Sequence, residues 1–229
     1  MNPWNKNIHL YMTKIALAGF AFILIASSGF TQTIQPKIVI GNEKGFKQSK
    51  IRDATIAYNE GVHELNNHQY QEGVESFRKA LELDSHYVEA WDELGLCYQR
   101  LNDYTNAAAC YERSISIYPN GYVAHLDLAM LYGYLNRLED QKREYNLVKE
   151  IDPENPESFY GLAIVSADDG NYKDAIENAQ LALERYKKRN DGNCVDAEKL
   201  LSLIYSKQGD VEKERYWNNE ALADKSKNH

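Results

Sequence analysis

Between residues 88 and 121 the apolar and small side chains come in two bursts separated by a polar break. Trp91, Leu94, Gly95 and Tyr98 stand at i, i+3, i+4 and i+7, the spacing that lays one stripe along a helix. Ala107, Tyr111 and Ser114 draw the same stripe in the next segment. Leu101-Asn102-Asp103 between them is short enough to join antiparallel neighbours. Pro119 disfavours helix at Tyr118 and ends the second segment, and Asn120-Gly121 supplies turn residues. The pattern therefore predicts a helix pair, with Gly95 and Ala107 allowing close approach and Trp91, Tyr98 and Tyr111 filling the flanks.

The same landmarks return every 34 positions. Leu94, Leu128 and Leu162 form one series, and Gly61, Gly95, Ala129 and Ala163 a second, all small. Tyr70, Tyr104, Leu138 and Tyr172 form a third, and Pro119 and Pro153 a fourth. A fixed period of this length marks stacked supersecondary units, each unable to bury its stripe alone. The register runs through residues 54–87, 88–121, 122–155, 156–189 and, after an insertion at Asn190–Cys194, 195–228. It is broken by Ser85 at a proline position, by Gln141 at a small position, and by Glu214 and Asn218 at core positions of the last unit.

The run Trp91, Leu94-Gly95, Tyr98, Ala107, Tyr111, Ser114 and Pro119 resembles the tetratricopeptide repeat (TPR). That resemblance implies an all-α fold: an α-solenoid of about five helix-turn-helix repeats. It also implies that the first helices line a concave groove for a partner protein or peptide. The positions that correspond to groove residues include Tyr58 and Asn59 in unit one, and Glu89, Asp92, Glu93, Leu96 and Arg100 in unit two. Unit three supplies Asp127, Met130 and Tyr134, and unit four Glu157, Tyr160 and Asp168. Asn59 matches part of the Lys/Asn set with which some relatives clamp a C-terminal carboxylate, but acids replace the cations in units two and three. The groove so read is an acidic centre flanked by tyrosines, suited to a basic peptide or helix. Against it stands the reading of these acids as an ordinary solvated face.

The rest of the sequence sets the context. Residues 1–14 carry Lys6 and Lys14 and no acid; Ile15–Ala26 is an uncharged run, followed by Ser27-Ser28-Gly29. This three-part layout predicts a signal peptide over residues 1–32, with Met12 as an alternative start and a linker at 33–53. The protein is then expected to be exported, periplasmic or secreted, with membrane attachment through residues 15–30 only if that segment is not cleaved. The formal net charge of −8 argues against a general nucleic-acid binder. Cys97 and Cys110 read as buried thiols, with a Cys110–Cys194 bridge left open. His125 occupies a core position and reads as a packed histidine. No catalytic motif, metal-ligand spacing or cofactor fingerprint appears, so no catalytic, metal or cofactor residues are expected. A non-enzymatic interaction scaffold of the bacterial envelope is the leading expectation. A self-assembling array and a glycan-binding module are the alternatives.

Overall fold

The structure, a computed structural model, describes residues 49–227. The signal peptide, the Met12 start and most of the linker lie outside the described residues. Among the described residues ten helices follow one another: α1 (Arg52–Asn66), α2 (Tyr70–Leu83), α3 (Val88–Arg100), α4 (Tyr104–Ile117), α5 (Tyr122–Tyr134), α6 (Leu138–Ile151), α7 (Pro156–Asp168), α8 (Tyr172–Lys188), α9 (Cys194–Gln208) and α10 (Val211–Lys227). Among the described residues there is no strand. Each helix packs on the next, and the first helices of adjoining pairs also touch, α1 on α3, α3 on α5 and α7 on α9. This is an all-α solenoid of helix pairs. Among the described residues no helix is long and apolar enough to cross a membrane.

The turn inside each pair repeats a single backbone device. His68, Asn102, Asn136 and Gly170 all have positive φ, 34 residues apart, and Gly209 takes the same role after the insertion. At each, the following N–H reaches back over the helix end, as Asp103 N to Tyr98 O at 2.8 Å and Asn171 N to Ser166 O at 2.8 Å. That 6→1 bond satisfies a carbonyl the helix end would otherwise leave unpaired. Gly takes the left-handed region freely, and Asn and His are the side chains enriched there, which accounts for all of the first four residues. In three of the five pairs a side chain then caps the next helix: Asp103 accepts from Asn106 N, Asn171 from Asp174 N and Asp210 from Lys213 N.

Packing within the pairs follows the small-residue series. The ring of Phe77 lies on Gly61 and that of Tyr111 on Gly95, where an added Cβ would meet ring carbons at 2.8 and 2.6 Å. In the third pair Ala129 occupies the corresponding place, and the Tyr145 ring lies instead on Gly161 of the next pair. Gln141 is buried where a small residue is expected, and Gly133 opposite makes room for it. Tyr111 is fully buried, whereas Trp91 is only partly so, its indole N–H donating to Ser85 O at 3.0 Å. Trp91 is therefore less of a core anchor than its place in the repeat predicts.

His125 is packed, with Nδ1 at 2.8 Å from Glu144 and Nε2 at 3.2 Å from Pro119 O. All three cysteines are buried and free, so no Cys110–Cys194 bridge forms. Burial pushes the Cys97 and Cys110 thiols up to about 12, the mark of inert packing residues. The basic end of α8 is a structural clamp. Arg185 donates to Pro153 O and lies over the Phe159 ring, Arg189 donates to Glu154 O, and Lys188 pairs with Glu154 at 3.0 Å. Lys187 sits 2.7 Å from the fully buried Glu198 and 3.4 Å from Asp224, tying α8 to α9 and α10.

Candidate protein-binding face

The helix register places Asp92 and Glu93 side by side on α3, and the 34-residue period brings Asp127 of α5 next to them. Asp92 is buried, 6% exposed, and its Oδ1 has no hydrogen-bond partner. The Ser114 hydroxyl of α4 lies near the same carboxylate and pulls its pKa partly back. Burial raises its pKa well above the usual carboxylate range, and the charges of Asp127, Glu93 and Glu89 push the same way. Glu93 is pushed up to about 7 by burial and by Glu89. Asp127 is pushed up to about 8 by burial and by Glu93, with Arg100 at the end of α3 pulling it partly back. Glu89, itself buried, completes the group. Asp92 and Glu89 are buried while Glu93 and Asp127 are half-buried, so carboxylates from two adjacent first helices crowd one another by like charge.

Aromatic rings frame the group. Tyr58 of α1 packs on Phe77 and Tyr87, ring centroids 5.6 and 4.9 Å apart. It is close enough to Glu93 for that charge to raise its hydroxyl pKa further, after burial. Tyr134 of α5 stacks on Tyr104 at 6.1 Å, near-parallel, and faces Arg100. Leu96 and Met130 lie partly exposed on the same two helices.

Three of the expected face residues fall elsewhere. Tyr160 is 4% exposed and packs edge-on against Tyr186 of α8, so its ring fills the core and offers a ligand no surface. Asp168 is exposed at the end of α7, where its neighbours are Lys207 and Asp169 rather than the acids of α3. Asn59 is exposed and lines a shallow depression of about 400 Å³ with Ile56, Glu60, His63 and Glu64 of α1.

Two further charged residues of the first helices bear on the site. Arg100 is the cation that Asp127 and Tyr134 both feel. Glu157 of α7 is pushed up to about 7 by burial, with Tyr186 and Asn193 of the insertion pulling it partly back. Glu157 stands 68 residues after Glu89, the same place two repeats on.

Sequence models of the tetratricopeptide repeat match residues 88–120, 122–155 and 160–229. The chain belongs to the tetratricopeptide repeat family. Among curated proteins, this TPR chain is similar to an N-terminal acetyltransferase A complex subunit-like protein of Schizosaccharomyces pombe, 28% identical over 90 residues, covering 39% of this chain and 13% of the other. The chain spans a fifth or less of the length of the curated relatives it matches. Among solved structures, MamA from Desulfovibrio magneticus superposes with a TM-score of 0.66 at 14% identity, covering 78% of this chain and 98% of the other. YrrB, described as a TPR protein with an unusual peptide-binding site, gives 0.57 at 18% identity, covering 75% and 86%. At these identities the structural likenesses establish the TPR fold. Family membership carries the general role, a scaffold for protein contacts.

Proposed function

We propose that this TPR protein captures a basic protein segment on its first-helix face, between Tyr58 and Tyr134, without catalysing a reaction. The observation that carries this reading is the cluster of buried Asp92 with half-buried Glu93 and Asp127, in which Arg100 partly offsets Asp127 alone. A guanidinium or ammonium placed there gains the attraction of several carboxylates, and Tyr58, Leu96, Met130 and Tyr134 supply apolar area beside it. The peptide-binding site named for YrrB is in keeping with such a role on this fold. We place the scaffold in a bacterial envelope complex on the strength of residues 1–32: a basic start, a short apolar run and a small-residue exit.

The test is binding of an acetylated, amidated hexalysine peptide by the wild type and by Asp92→Asn/Glu93→Gln/Asp127→Asn, followed by fluorescence anisotropy at two ionic strengths. The triple variant is expected to bind at least about tenfold more weakly and to show a flatter salt dependence. Equal affinity of the two proteins would sink the reading.

A further inference from the structure

The carboxylates of α3 and α5 differ from a surface acidic patch in one geometric respect. Asp92 is more than nine-tenths buried and Oδ1 has no hydrogen-bond partner, so an ionised carboxylate there lacks the donors that a buried anion needs. Asp127 and Glu93 add like charge from the two helices that form the face. We infer that capture of a basic segment on this face is coupled to the release of a proton from the Asp92, Glu93 and Asp127 cluster. The inference rests on the basic-segment reading above and adds its regulation: in the free protein the cluster holds a proton, and an incoming cation replaces it.

The groups around the cluster decide the sign. Glu89 and Glu93 on α3 itself and Asp127 on α5 all favour the protonated form of Asp92. The Ser114 hydroxyl opposes them. Tyr58 from α1 and Tyr111 from α4 face the same carboxylates, and both stay neutral because burial raises them well above their usual range. Cys97 and Cys110 also stay neutral; Arg78 of α2 faces Cys110, and Glu64 of α1 faces Cys97. Arg100 acts on Asp127 and leaves a carboxyl that still titrates near neutrality. A lysine ammonium keeps its charge to pH values near 10, so a pH dependence of binding between 6 and 8 belongs to the protein. Bringing that cation against the cluster lowers the carboxyl pKa values and drives a proton off.

Titration calorimetry with the hexalysine peptide tests this. The measurement is made at pH 6, 7 and 8, and at pH 7 in PIPES and in imidazole, whose protonation enthalpies differ. Affinity is expected to rise with pH, approaching about tenfold per pH unit for each proton released. The observed enthalpy is expected to differ between the two buffers by about one proton's worth. Both effects should shrink in Asp92→Asn/Asp127→Asn, and Glu93→Gln on the partly exposed rim gives the same readout if the paired variant does not fold. Binding with a buffer-independent enthalpy overturns the proton coupling alone and leaves the basic-segment reading standing. Absence of binding at every pH overturns both, and proton release unchanged in these variants overturns its assignment to the cluster.

Discussion

Two buried carboxylates in this molecule are treated in opposite ways. Glu198 of α9 has no exposed surface, and the chain sets the Lys187 ammonium 2.7 Å from it, with that lysine shared by Asp224 of α10. Asp92 of α3 is nearly as buried, yet among the described residues it makes no ion pair and meets its own kind in Glu93 and Asp127. Both sites pay the desolvation cost of an acid in a repeat array. Only the one at the α8–α9–α10 junction recovers part of it from inside the chain. A carboxylate whose cation is built in serves the fold; one left among like charges is a stability cost, which a partner's cation would offset.

The largest effect expected from disturbing this contrast is at the compensated site. Lys187→Met leaves Glu198 buried without a counter-charge and should destabilise the protein by about 2–3 kcal/mol. That is below the usual cost of stripping a fully buried ion, because Lys187 is 44% exposed. Urea denaturation measures it, and adding Glu198→Leu should restore much of the loss. At the uncompensated site the sign should reverse. Asp127→Asn is expected to stabilise by about 1–2 kcal/mol at pH 8.5, by less at pH 5.5 and by little below about pH 4. The direction follows from linkage: a carboxyl whose folded pKa is raised binds its proton more tightly folded than unfolded. Its favourable contribution is fully present below the unfolded carboxyl pKa of about 4 and is lost progressively as pH rises to the folded values, about 7 for Glu93 and about 8 for Asp127. Thermal melts of wild type and variant across that window check it, and a variant advantage that grows toward acid pH would contradict it. The smallest effect is at Asp168, exposed at the end of α7, where Asp168→Asn should stay within about 0.5 kcal/mol at either pH.

The period of landmark residues carried the fold because it consists of packing residues. Gly95 under Tyr111 and the turn before Tyr104 are local consequences of local sequence, and both are legible in the spacing. The landmarks concealed two accommodations. Ala129 keeps the small-residue series, but the need for Gly161 under the Tyr145 ring falls outside it; Gln141 replaces a small residue, and Gly133 opposite yields to it. The face was legible in part. Asp92, Glu93 and Asp127 are read from the register, but their shielding depends on how closely α3 and α5 approach, which spacing does not state. Tyr160 was misplaced for the same reason: its position in the repeat points to the face, while Tyr186 from the neighbouring helix holds it inside.

The left-handed residues at 68, 102, 136, 170 and 209 also bear on how such a chain can lengthen. A duplication of 34 codons beginning anywhere in one unit ends at the same dihedral state in the next, so the copied cassette joins its neighbours without a new backbone geometry. Length changes are confined to the joint between pairs, as the extra residues ahead of α9 show, where Asn190 adopts a further positive φ to restart the rhythm. Each hairpin is thus a module with a fixed hinge and an adjustable splice, and inheritance can vary the number of units while leaving every turn intact.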